Sequence, residues 1–108
     1  SEDASLESEE DYPLFLVVDR DHAMAEQVVH EAKNWGFRGA IAVDLTLAQT
    51  RVRQNAPAVV VLDLSVTQFI QDSLAWLAEL SQQTPPIPVL VWTEQNQLGN
   101  RLEAARLG

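Results

Sequence analysis

The chain has 108 residues, no cysteine and a formal net charge of −9. That length predicts one domain, and the missing cysteines exclude disulfides, thiolate catalysis and cysteine-ligated metal. The acidity argues against non-specific nucleic-acid binding. No apolar run reaches membrane-spanning length and no signal peptide opens the sequence, so a soluble cytoplasmic module is expected.

The charge is uneven. Residues 1–11 carry six acids and no base, whereas residues 12–108 carry ten acids and seven bases. A segment so acidic and so poor in apolar groups is expected to be a disordered linker or tail, with the folded domain over 12–108.

Residues 14–18, Leu-Phe-Leu-Val-Val, form a continuous apolar run that ends in Asp19-Arg20-Asp21. A run of that kind predicts a strand buried on both faces. Ala25, Val28, Val29, Ala32 and Trp35 then repeat at helical spacing over 22–35, with Asp21 as N-cap and Gly36 as terminator. His30 and Lys33 lie three apart on this helix and read as solvated surface residues. Residues 39–43 predict a weaker edge strand. Asp44 is placed to cap a second helix through Leu47, Ala48 and Val52, ending near Asn55.

Pro57 precedes the second strongly apolar run, Ala58 to Leu62, which closes on Asp63. This is the expected central strand. A turn over 64–68 leads to a third helix with Ile70, Leu74, Leu77 and Leu80 inward and Trp76 off that stripe. Two prolines make 82–86 a loop. Residues 87–92 predict a fourth strand, with Pro88 at its start and Thr93 at its end. Residues 96–107 predict a fourth helix. Strictly alternating strands and helices imply an α/β fold, a parallel sheet with helices on both faces and right-handed crossovers.

Asp19, Asp63 and Thr93 therefore gather at the carboxyl ends of the strands, where open α/β sheets place ligands and chemistry. Leu-Val-Val-Asp at 16–19, Val-Val-Leu-Asp at 60–63, Pro-Val-Leu-Val-Trp-Thr at 88–93 and Glu-Ala-Ala-Arg-Leu-Gly at 103–108 resemble the receiver domain of bacterial response regulators. The resemblance covers residues 14–108. It implies a three-layer doubly wound sheet of flavodoxin/CheY-like order 2-1-3-4, with the family's fifth strand and last helix lacking, so that the domain is C-terminally truncated.

It further implies a signalling module of a two-component or phosphorelay system, not an enzyme beyond self-phosphorylation and autodephosphorylation at Asp63. A histidine kinase or phosphotransfer protein would donate a phosphoryl group to the Asp63 carboxylate. Mg²⁺ would be held by Asp19, Asp63 and the Ser65 carbonyl, and the Thr93 hydroxyl would donate to a phosphoryl oxygen. An output domain would follow in the parent chain. Neither direct nucleic-acid binding nor membrane contact is implied.

The departures from the family are specific. Arg20 stands where a second acid normally ligates the metal, no lysine follows a fifth strand, and the turn after Asp63 lacks the usual Met-Pro and Asp-Gly pieces. At an effective dielectric near 20, a dication about 6 Å from one unit charge feels roughly 5 kcal/mol as an upper bound, so exchanging an acid for arginine can abolish Mg²⁺ binding. Arg20 either swings to solvent or turns inward as a tethered cation beside Asp63.

Two other readings follow. One is a phosphorylation-independent pseudo-receiver that serves as an interaction or dimerisation module. The other is a phosphatase resembling the haloacid dehalogenase type, with Asp19 as nucleophile and Asp21 as general acid; His22-Ala23 does not match that family's continuation. Without a fifth strand, the fourth would present Val89, Leu90, Val91 and Trp92 at an open edge, which predicts a homodimer.

Overall fold

The computed structural model describes residues 11–92. Continuous apolar runs become the interior of the sheet. Strand β1 (Leu14–Val18) is buried along its whole length, and β3 (Val59–Asp63) is buried from Val60 onward. Strand β2 (Arg38–Ala42) and strand β4 (Val89–Trp92) flank them in the order β2-β1-β3-β4, with every pairing parallel. The order reverses direction between β1 and β3, so the crevice at their carboxyl ends is the topological switch point.

Alternation along the strands divides the core in two. Leu16, Val18, Val60 and Leu62 face helices α2 (Leu45–Gln54) and α3 (Ile70–Ser81), together with Ala48, Trp76 and Leu80. Phe15, Val17 and Val61 face α1 (His22–Asn34), where Ala25 and Ala32 are fully buried and the rings of Phe15 and Phe37 meet edge-on at 5.3 Å. Helices on both faces of the sheet make the doubly wound, three-layer architecture expected. No described helix is long and apolar enough to cross a membrane.

Local chemistry sets the helix ends. The Asp21 carboxylate accepts from the Met24 N–H at 3.1 Å and Asp44 accepts from the Leu47 N–H at 2.7 Å, each satisfying an otherwise orphan donor. Helix α1 stops at Gly36, whose φ of 89° lies in the left-handed region that glycine enters without strain. Gly39 serves another purpose: a Cβ there would overlap Val29 Cγ1, so its lack of a side chain lets α1 sit directly on β2.

Three packing expectations are corrected. Trp35 is 68% exposed, because the helix ends at Asn34 and the chain turns away before the ring can reach the core. On α3 the inward face is Ser73, Trp76 and Leu80, with Leu77 half-buried; Ile70 and Leu74 are exposed and Trp76 is only 3% exposed. This face buries the large Trp76 ring, and the Ser73 hydroxyl beside it is satisfied by the Leu64 carbonyl at 3.4 Å, so that a polar residue sits at a core position. Strand β4 is not uniformly open: Val89 and Val91 are buried beneath α3, and Leu90, at 55% exposure, is the side chain presented outward. Thr93 and the helix expected over 96–107 lie outside the described residues, as does the acidic segment except Asp11.

Candidate functional site

The sheet register builds the site. Val18 lies opposite Leu62 across β1 and β3, so the residues that follow, Asp19 and Asp63, leave adjacent strands side by side. Across β3 and β4, Asp63 is paired with Trp92, the residue before Thr93. Asp19 is buried; its backbone N–H extends the ladder to Ala42 at 3.0 Å, and its Oδ1 accepts from the Asp21 N–H at 2.9 Å.

Asp63 is 1% exposed, yet it lines a cleft of about 360 Å³ with Arg20, Asp21 and Ser65. Its Oδ1 accepts from both the Ser65 N–H, at 3.0 Å, and the Ser65 hydroxyl, at 2.8 Å. A short 3₁₀ turn over Leu64–Val66, anchored by the buried side chains of Leu64 and Val66, carries Ser65 into this position. Among the described residues nothing donates to Asp63 Oδ2. The carboxylate is thus fixed through one oxygen while the other receives no donor among the described residues.

Arg20 is exposed at the rim of the same cleft. It forms no ion pair with Asp63 among the described residues, where the one pair within 4 Å joins His22 to Glu26. Arg20 is therefore neither remote from the cleft nor clamped onto the carboxylate. No group of three or more histidine or acidic side chains among the described residues is arranged to hold a metal ion. Asp21, though it lines the cleft, spends its carboxylate on capping α1. His30 is exposed on α1, remote in the chain from either aspartate.

The role of Ser65 was not legible in full. The resemblance assigns its carbonyl to a metal, whereas its N–H and hydroxyl are what engage Asp63. The signal was the Asp-Leu-Ser spacing, since an aspartate commonly binds the backbone two residues on.

No family model matches the chain. Among curated proteins it is similar to the transcriptional regulatory protein ZraR of Klebsiella oxytoca and of Escherichia coli strain K12. It is 29% identical to each over 93 residues, which is 86% of this chain and 20% and 21% of theirs. Among solved structures it is similar to the non-phosphorylated HemR receiver domain from Leptospira biflexa, with TM-score 0.65, 27% identity, and 89% and 76% of the two chains covered. The beryllofluoride-activated NtrC4 receiver domain dimer superposes with TM-score 0.69 at 20% identity, covering 88% and 77%.

The fold and the strand order are those of response-regulator receiver domains, to which the chain is similar. It spans about a fifth of the length of the curated relatives it matches.

Proposed function

We propose that Asp63 is the phosphoacceptor of this receiver domain. The observation that carries the reading is the state of the Asp63 carboxylate: buried, tied by Ser65 through Oδ1, without a donor to Oδ2 among the described residues, and bordering a cleft at the switch point. Oδ2 attacks the phosphorus of a phosphohistidine on a kinase or phosphotransfer protein. The P–N bond breaks, the electron pair leaves with the imidazole, and an acyl phosphate forms on Asp63. Thr93, directly after Trp92, is assigned the hydroxyl that donates to a phosphoryl oxygen. Switching of contacts to an output domain in the parent chain, in the cytoplasm, completes the proposal.

The donor set does not fit a tightly held Mg²⁺. Two of the expected ligands, Asp19 and Asp63, are adjacent, but Asp19 Oδ1 and Asp63 Oδ1 each already accept a backbone N–H. A guanidinium stands where the family places a third carboxylate, and it lines the cleft. Arg20 is the cation nearest to hand for charge on an incoming phosphoryl group.

The same substitution supports a second reading, the pseudo-receiver that binds partners without phosphorylation. Exposed Leu90 on edge strand β4 supports association of two copies in either case. The phosphatase reading has no such support, because Asp21, its general acid, is the N-cap of α1.

Intact-mass measurement after incubation with acetyl phosphate, with and without Mg²⁺, tests the assignment. One labile phosphoryl adduct, lost in Asp63→Asn, is expected. No adduct under either condition would leave the pseudo-receiver as the correct reading.

A further inference from the structure

A second concave site lies between α2 and α3, and it shares no lining residue with the Asp63 cleft. It has a volume of about 490 Å³. Its walls come from the turns Gln49–Arg53 on one helix and Trp76–Leu80 on the other, so each helix presents side chains at i, i+3 and i+4. Val52, Leu80 and Trp76 make its apolar part. Arg53 stands on the α2 wall and Glu79 on the α3 wall.

Two features of this cleft are unsatisfied among the described residues. Trp76 is 3% exposed, yet its indole N–H donates to nothing among the described residues. A buried donor without an acceptor is uncommon and costs free energy until one arrives. Arg53 and Glu79 carry opposite charges on opposite walls but do not approach within ion-pair distance. The Arg53 guanidinium makes only a 3.4 Å bond to the Thr50 hydroxyl on its own helix, and the Glu79 carboxylate has no partner among the described residues. The lining is mostly polar, with Gln49, Gln82 and Gln83 beside the two charges, and its size is that of a small-ligand site.

We propose that this cleft binds a small zwitterion of the α-amino-acid class. The ligand carboxylate faces Arg53, the ammonium faces Glu79, and an acceptor atom of the ligand receives the Trp76 N–H. A ligand with one charged end would satisfy one wall and leave the other charge unpaired. A neutral apolar ligand would satisfy neither. Charge separation across the cleft therefore selects a molecule that carries both signs on a short frame. The proposal does not depend on phosphoryl transfer at Asp63.

The test is a ¹H–¹⁵N titration of the 108-residue chain with each of the common free L-α-amino acids at millimolar concentration. The Trp76 indole resonance, assigned by its loss in Trp76→Phe, is the readout, while Trp35 and Trp92 serve as internal controls. At least one amino acid is expected to shift the Trp76 signal saturably and leave Trp35 unmoved. Acetate and ethylammonium, which each carry one end of the ligand, are expected to produce no saturable shift. Arg53→Gln and Glu79→Gln should each weaken binding by roughly tenfold or more, as for loss of one hydrogen bond to a charged group. No saturable shift with any amino acid would overturn the proposal, as would equal affinity in wild type and both charge variants.

Discussion

Ser65 donates twice to a single oxygen of Asp63, through its N–H at 3.0 Å and its hydroxyl at 2.8 Å. The pair makes the two carboxylate oxygens inequivalent. Oδ1 is occupied by Ser65, and Oδ2 receives no donor among the described residues. Ser65→Ala removes the hydroxyl bond and keeps the backbone one. A loss of about 1.5–3 kcal/mol in unfolding free energy is expected, the usual cost of a hydrogen bond to a charged group. The rate of adduct formation from acetyl phosphate should change while its position does not. Chemical denaturation and intact mass measure the two effects, and an unchanged rate would mean that the hydroxyl does not position the carboxylate.

Arg20 governs the charge of the cleft it borders. Arg20→Asp replaces a repelling charge by an attracting one, so Mg²⁺ affinity should rise by roughly tenfold or more. Trp92, paired with Asp63 across the sheet, gives the fluorescence signal for the titration. Equal affinities in the two proteins would show that Arg20 exerts no field at the carboxylates.

The rotated face of α3 makes opposite predictions for two apolar residues of one helix. Trp76→Ala should destabilise the domain by about 3–5 kcal/mol, as truncation of a buried aromatic does. Leu74→Ala, at an exposed position, should stay within about 0.5 kcal/mol. Thermal or urea unfolding measures both, and a larger cost at Leu74 than at Trp76 would contradict the packing.

Gly39→Val places a branched side chain where Val29 already sits. Overpacking of this kind costs about 1–3 kcal/mol. The loss should be recovered in part by Val29→Ala, which clears the space, and a double-mutant cycle reads the coupling.

Leu90 is the appropriate probe of association, since Val91 beside it is buried and a charge there would unfold the sheet. Sedimentation of the chain should show a dimer that Leu90→Lys weakens. A monomer in both would remove β4 from the contact surface.

These outcomes also separate what the sequence carries from what it does not. β1 and β3 were legible because unbroken valine- and leucine-rich runs of strand length have few alternatives. The caps at Asp21 and Asp44 were legible because an acid before a periodic segment has a local job whatever the fold. The face of α3 was not, since its apolar residues support two stripes about one residue apart. The face that is buried holds Trp76 beside Ser73, whose hydroxyl finds a carbonyl only after the 3₁₀ turn has formed. The hold of Ser65 on Asp63 was hidden for the same reason: it depends on the path of the turn, not on composition.

The order β2-β1-β3-β4 has a consequence for how the chain comes together. Asp19 and Asp63 are distant in sequence, and they become neighbours only when β1 and β3 pair across an intervening strand and two helices. Parallel pairings of this span are intrinsically slow to form, because the loop entropy is spent before the contacts return it. The juxtaposition of the two aspartates therefore depends on a long loop closure between β1 and β3. A chain with its β1–α1–β2 unit formed and its centre unpaired would hold the aspartates and lack the site. Phosphorylation at Asp63, on the function proposed above, would therefore report that the central sheet is complete.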